Sequence, residues 1–184
     1  MNRIARTAGD LEAEARTWER EDLIRIWENL QARQPVKRWE AGKAFEYLVV
    51  RAFEIDGLRA RWPYAVTYRQ KLGIVEQNDG LVYLGERAFL LESKDHTDAL
   101  AIEAVAKLRF RLESRPPGTM SVLFTARSFS LATEVFSQFA APLNVILWRG
   151  QDLDYALRRG SMASGLQAKF EAATERGIPL FTLE

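Results

Sequence analysis

Two acidic residues and a lysine have a spacing that could support chemistry at one end of a pair of strands. Asp79 begins one apolar segment, and Glu92 and Lys94 end the next one. Gly85-Glu86 lies between the segments and is typical of a two-residue hairpin turn. Counting outward from that turn places Asp79 opposite Glu92, and opposite residues in an antiparallel pair share a face with Cβ atoms roughly 5 Å apart. Glu92 and Lys94 also share a face because they are two residues apart.

Two carboxylates at that separation repel each other and raise each other's pKa. A divalent cation resolves the conflict, and Mg²⁺ prefers oxygen ligands, often one or two carboxylates with water and a substrate phosphate. Such an ion can polarise a phosphoryl oxygen and lower the pKa of a bound water. Lys94 would add a positive charge beside the attacking water or the scissile phosphate. Asp79, Glu92 and Lys94 therefore predict hydrolysis of a phosphodiester with Mg²⁺ or Mn²⁺.

A third carboxylate lies in an apolar stripe of the preceding helix, which is predicted over residues 36–55. The stripe consists of Phe45, Leu48, Val49, Val50 and Phe53. Glu46 falls inside this stripe, one turn before Val49 and Val50. A buried carboxylate is costly without a partner. Glu46 is therefore predicted to face the site and to complete it through a water.

Each of these residues also has a plain structural interpretation, and both interpretations stay open at this point. Asn-Asp-Gly around Asp79 is good turn chemistry. Glu92 and Lys94 could form a strand-end ion pair, worth at most about 1 kcal/mol if exposed. Glu46 could lie on the helix surface. His96, the only histidine, follows Lys94 closely but is predicted to have a capping or surface role.

The arrangement of Asp79 followed by Glu92-Ser93-Lys94 on the next strand resembles the D…ExK signature of the PD-(D/E)xK nucleases. Residues 42–46, Gly-Lys-Ala-Phe-Glu, are similar to the GxxFE helix of Mrr-like restriction endonucleases, whose glutamate contributes to the metal site. Residues 118–124 and 145–148 resemble later core strands of that family. The resemblance covers roughly residues 40–176. Asn78 stands where the family's signature has proline.

The resemblance implies a three-layer α/β/α restriction-endonuclease-like fold around a central mixed sheet, with an additional N-terminal helix. It implies an endonuclease that cleaves DNA, double-stranded in the usual case, in restriction, defence or repair. Asp79 and Glu92 would bind Mg²⁺ or Mn²⁺, with Ser93 and Glu46 in the same metal site. Lys94 would assist the attacking water.

The apolar pattern predicts the elements that must position these residues. One helix is expected over residues 8–33, with Asp10 as its cap and Gln34-Pro35 as its end. Further helices are expected at 98–112, 131–139, 152–157 and 164–176, and extended segments at 64–70, 79–84, 88–94, 120–125 and 144–148. Strands that alternate with helices favour a sheet covered on both faces.

We expect a helical extension over residues 1–35 and a nuclease domain over residues 36–184. The extension would pack back on the domain or form a homodimer through Trp18, Trp27 and Leu30. A chain of 184 residues favours one domain. It has no cysteine, which excludes disulfides, thiolate zinc sites and cysteine nucleophiles. We find no signal peptide or membrane span in the sequence, so a cytoplasmic protein without membrane contact is expected.

The formal net charge is +1, so the overall composition lacks the strong basic excess typical of nucleic-acid binders. Arg59–Lys71 and Lys107–Arg115 are locally rich in arginine, which fits either a nucleic-acid face or two solvated faces. Two alternatives to a DNA endonuclease remain. One is a structure-specific or RNA-directed nuclease, and the other is a non-catalytic binding or assembly module on the same fold. The intact D…ExK pattern argues against the second.

Overall fold

A mixed sheet of five strands forms the centre of the protein, which we describe from a computed structural model covering residues 6–67 and 73–184. The strands in chain order are β1 (Arg59–Arg61), β2 (Tyr64–Thr67), β3 (Ile74–Asn78), β4 (Gly80–Leu84), β5 (Arg87–Lys94), β6 (Met120–Thr125) and β7 (Val145–Trp148). The central sheet has the order β1-β4-β5-β6-β7. Its first three strands pair antiparallel, whereas β5, β6 and β7 run parallel. β2 and β3 form a separate antiparallel pair.

Seven helices of the described residues surround the sheet. They are α1 (Ala8–Ala15), α2 (Arg20–Gln31), α3 (Ala41–Ile55), α4 (Glu103–Glu113), α5 (Leu131–Phe139), α6 (Gly150–Arg159) and α7 (Met162–Arg176). None of the helices in this part of the chain combines the length and apolarity needed to cross a membrane.

The core lies on both faces of the sheet because β5 and β6 are apolar on both sides. On one face, Phe89 and Leu91 of β5 pack with residues of α2, α3, α6 and α7. On the other face, Leu90 of β5 packs with Leu108 of α4 and its neighbours. The predicted three-layer α/β architecture with a central mixed sheet is therefore confirmed.

The single helix predicted over residues 8–33 is wrong, because the chain forms two helices with a break between Ala15 and Arg20. Asp10 is not the cap of the first helix. Thr7 is the cap, since its hydroxyl accepts the Asp10 amide at 3.2 Å and the Asp10 carboxylate accepts the Thr7 amide at 2.9 Å. This reciprocal pair is a capping box, which fixes the start of a helix at its first turn.

Two other predicted helices begin later than expected. The helix predicted from residue 98 starts at Glu103, because Leu100 instead bridges to Phe129 in parallel fashion. The Leu100 amide donates to the Ser128 carbonyl at 2.9 Å, and this contact holds the chain extended. The helix predicted from residue 36 starts at Ala41.

β1 and β3 were not predicted as strands. β1 pairs with β4 through Ala60 and Val82, and β3 pairs with β2 through Gln77 and Ala65. Both strands carry mostly exposed or partly exposed residues, so their apolar pattern is weak. The extended segment predicted over 64–70 ends as a strand at Thr67, and residues 68–70 lie outside the described residues.

The helices before Pro35 contribute to the same core as the later elements. Trp27 and Leu30 of α2 are buried in the cluster that also contains Phe45 of α3, and the Trp27 ring stacks on that phenylalanine. The indole N–H of Trp27 donates to Asp154 of α6 at 3.0 Å. α2 is thus packed between α3 and α6.

Candidate active site

The β4–β5 hairpin forms as the sequence predicts. Leu84 pairs with Arg87 across the turn, and the pairing continues outward to Gly80 opposite Leu91. The ladder stops there, so Asp79 lies just beyond it, in line with the position opposite Glu92. Gly80 is required at this point, since a Cβ would approach Val50 of α3 to 2.7 Å. The close contact holds the start of β4 against α3.

Asp79 is attached to the end of β5 by its side chain. Its Oδ2 accepts the backbone amide of Ser93 at 2.7 Å. Burial raises the pKa of Asp79, and the negative charges of Glu46 and Glu92 raise it further, to about 7. The Ser93 hydrogen bond and Lys94 oppose this effect without cancelling it. Asp79 is therefore a carboxylate whose pKa is raised first by burial and then by its acidic neighbours.

Glu92 is buried at the end of β5 and is bound by two cations. Lys94 lies 2.6 Å from its Oε1, and Arg111 of α4 lies 2.6 Å from its Oε2. Burial alone would raise the pKa of Glu92, but the contacts with Lys94 and Arg111 outweigh burial and lower it. The pKa of Glu92 is thus shifted in the opposite direction to that of Asp79.

Glu46 extends from α3 toward the same site. Its side chain is mostly buried, and its carboxylate pairs with Lys43, one turn earlier, at 2.5 Å. Its charge is the strongest charge effect that raises the pKa of Asp79. The structure therefore brings Asp79, Glu92 and Lys94 together with Glu46, as predicted, although their roles stay predictions.

Sequence reasoning gave no role to two residues that contact the predicted carboxylates. Lys43 pairs with Glu46, and Arg111 pairs with Glu92. The signal for Arg111 was its place in the arginine-rich stretch Lys107–Arg115, which alone does not say which arginine turns inward. That choice depends on how α4 packs over β5.

Two buried polar side chains next to the acidic residues lack hydrogen-bond partners within residues 6–67 and 73–184. Neither the hydroxyl of Ser93 nor the amide group of Asn78 has one. Leaving a buried polar group unpaired costs stability, so both are candidates for contact with a ligand. Ser93 was predicted at the metal site, whereas Asn78 was noted only as a departure from the family signature.

The residues after Lys94 turn away from the site. The buried carboxylate of Asp95 pairs with Arg33 at 2.5 Å, and Arg33 also donates to the carbonyl of His96 at 2.7 Å. The His96 side chain is exposed. Arg33, which follows α2 with a φ of 56°, therefore holds the chain where β5 ends.

A metal ion at the acidic residues would have to take part of its ligands from outside the protein. Among the residues that the structure describes, no three carboxylates or imidazoles are grouped closely enough to hold a metal ion by themselves. Mg²⁺ commonly uses one or two carboxylates and takes its other oxygens from water and substrate phosphate. Asp79, short of positive charge beside Glu92, suits that smaller ligand set.

The buried position of Asp79 predicts a pH dependence of stability. Its folded-state pKa of about 7 lies above the ordinary 3.8, so folding takes up a proton between these values. This contribution to the free energy of unfolding is on the order of 4 kcal/mol at most. It is complete below about pH 4 and is lost as the pH rises through about 7. Asp79→Asn lacks the titrating group and should keep the Ser93 contact.

The measurement is urea unfolding of both proteins from pH 4 to pH 8 in EDTA. Wild type should lose stability relative to Asp79→Asn across this range, and the variant should be the more stable protein at pH 8. Parallel profiles for the two proteins would show that Asp79 is not desolvated among other carboxylates.

No protein-family model matches the sequence, and no curated protein matches it. Solved structures that align with the chain include two restriction endonucleases. The MspJI restriction endonuclease in complex with a 27-mer oligonucleotide has 19% identity and a TM-score of 0.44, over 100% of this chain and 42% of that one. The DNA modification-dependent restriction endonuclease AspBHI has 16% identity and a TM-score of 0.40, over 94% of this chain and 43% of that one. The chain spans less than half of either structure, and a likeness of this degree carries no argument about activity.

Proposed function

We propose that this chain is a nuclease that hydrolyses phosphodiester bonds in DNA with Mg²⁺ or Mn²⁺, on a restriction-endonuclease-like fold of the PD-(D/E)xK type. The observation that carries the proposal is the convergence of the Asp79, Glu92 and Glu46 carboxylates with Lys94 at the end of β5. Lys43, Lys94 and Arg111 match the three carboxylates in formal charge, but they pair with Glu46 and Glu92. Within residues 6–67 and 73–184, Asp79 is largely buried without an ion-pair partner, which suits a ligand of a metal ion.

Asp79 and Glu92 would hold the metal ion, with Ser93 beside them and Glu46 completing the site through a water. When bound, the ion would polarise a phosphoryl oxygen and lower the pKa of an attacking water. The chain's own residues then have separate tasks. The Ser93 amide fixes the Asp79 carboxylate at the end of β5, and the Lys43 contact restrains Glu46 on α3.

Lys94 supplies the positive charge that the reaction needs. It extends from the end of β5 on the same face as Glu92, and its ammonium group is 2.6 Å from that carboxylate. Negative charge increases on the phosphoryl oxygens during transfer, and a fixed cation beside them stabilises the transition state. Lys94 would also orient the attacking water.

DNA rather than RNA as substrate, and a role in restriction, defence or repair, rest on the family resemblance of residues 40–176. Cleavage of both strands of a duplex would require two such sites, because one site cuts one strand. We therefore include a homodimer in the proposal. Trp18, Trp27 and Leu30, the dimer contacts expected from the sequence, are buried in the core of the chain itself and do not form its surface.

The direct test is incubation of the protein with plasmid DNA, with and without Mg²⁺. Wild type should cut only with Mg²⁺ or Mn²⁺, and Asp79→Ala should not cut because it removes a metal ligand. Asp98→Asn is the matched control, since this acidic residue lies near the site in sequence but is exposed. Cleavage by Asp79→Ala at the wild-type rate would refute the assignment.

A further inference from the structure

An open groove lies between β3 and α4, directly beside the candidate active site. Its volume is about 760 Å³, which is within the range of ligand-binding pockets. Ile74 and Val75 line it from β3, and Lys107, Phe110 and Arg111 line it from α4. We call this surface the β3–α4 groove.

The apolar residues of the groove are unusually exposed. Phe110 is 74% exposed, and Ile74 and Val75 are each more than half exposed. A large exposed aromatic beside aliphatic residues marks an interaction surface more often than a random surface position. Lys107, Phe110 and Arg111 follow the i, i+3, i+4 spacing, so α4 presents the aromatic and two cations on one side.

The groove offers one unpaired cation to an anionic ligand. Glu76, at its inner wall, is neutralised by Arg115 at 2.7 Å. Lys107 is exposed and has no carboxylate within ion-pair distance in the described ranges 6–67 and 73–184. Glu113 is the acidic residue of the rim that likewise has no cationic partner there. The lining carries two cations, Lys107 and Arg111, and two carboxylates, Glu76 and Glu113. Arg111 is paired with Glu92, so Lys107 is the cation of the lining that is left for an anion.

Arg111 makes the groove continuous with the candidate site. It lines the groove and at the same time binds the Oε2 of Glu92. An anion that enters the groove along α4 thus meets Arg111 immediately before it meets the acidic residues. The occupant indicated by this geometry is a chain of phosphates that continues into the site.

We propose that the β3–α4 groove binds a single strand of nucleic acid whose backbone continues to Asp79 and Glu92, and this inference rests on the proposed nuclease function. Phe110 stacks on an unpaired base, while Lys107 and Arg111 contact phosphates. Aromatic stacking together with backbone cations is how proteins hold unpaired strands without reading their sequence. The substrate therefore carries unpaired nucleotides next to the bond that is cut.

The test is the affinity of the full chain for a fluorescein-labelled single-stranded oligodeoxynucleotide, measured by anisotropy in EDTA so that no cleavage occurs. Phe110→Ala should weaken binding roughly tenfold, because it removes one stacking partner. Phe139→Ala is the matched control: Phe139 is 81% exposed at the end of α5 and does not line the groove. Lys107→Ala should reduce the slope of log affinity against log salt concentration by about one, because one phosphate contact is lost.

Equal affinities of wild type and Phe110→Ala for the single strand would overturn the proposal. A change in mass of Phe110→Ala by light scattering, with unchanged oligonucleotide affinity, would also overturn it and make the groove a protein interface. The binding assay needs no metal, so its failure is distinct from a failure of plasmid cleavage. If wild type does not cleave plasmid DNA but Phe110→Ala still weakens oligonucleotide binding, the nuclease function is refuted and strand binding remains.

Discussion

Replacement of Lys94 by alanine should slow cleavage by roughly a hundred- to a thousandfold while the fold stays intact. The expected loss is that of one fixed charge at a transition state. Stability should change little, because Lys94 is partly exposed at the end of β5 and Glu92 keeps its second partner, Arg111. The measurement is the single-turnover cleavage rate with saturating Mg²⁺, together with a urea unfolding curve.

A comparison with Asp79→Ala separates chemistry from metal binding. Stabilisation of the fold by Mn²⁺, seen as a rise in melting temperature, should persist in Lys94→Ala and disappear in Asp79→Ala. Lys94→Ala should not weaken the stabilisation by Mn²⁺, since the variant removes a cation next to Glu92. If wild type cleaves DNA and Lys94→Ala cleaves equally fast, the active site lies elsewhere.

The largest effect on stability is expected from Lys169→Ala. Lys169 of α7 is 0% exposed, and its ammonium group donates to Asp152 at 2.9 Å and to the Leu147 carbonyl at 3.1 Å. Burial lowers the pKa of Lys169 to about 8, although the Asp152 charge opposes the shift. Removal of the lysine leaves Asp152 as a buried, less compensated charge, which typically costs about 3–5 kcal/mol.

The check is a denaturation series with Lys169→Met, Asp152→Asn and the double variant. Lys169→Met preserves most of the packing volume, so its loss of stability reports the charge rather than a cavity. The double variant should recover part of the loss, because no unpaired carboxylate remains. A double variant whose loss equals the sum of the single losses would show that the two residues are not coupled.

The β4–β5 hairpin could be predicted from the sequence because all its determinants are local. The turn at Gly85-Glu86 and the period of two along β5 together fix which residues share a face. The register from Leu84 opposite Arg87 outward therefore needed no information from the rest of the chain. The apolar stripe of α3 placed Glu46 near the site by the same kind of local reasoning.

The parts that were missed depend on contacts between distant segments. Nothing near Arg111 in sequence shows that α4 lies over β5 and directs this arginine to Glu92. Leu100 carries a helical pattern but is held extended by Phe129 and Ser128, almost thirty residues away. β1 is short and charged, so only its pairing with β4 defines it as a strand.

The contacts of β7 have a consequence for self-association. β7 is an edge strand, and its residues Val145–Trp148 are all buried. An open apolar edge would offer its backbone groups to another chain and promote aggregation. Here the outward Leu147 amide donates to the Pro179 carbonyl at 2.8 Å, and its carbonyl accepts from Lys169. The segment after Gly177 thus covers the sheet edge. Its removal would expose a strand that can pair with another chain, and it would also destabilise the fold.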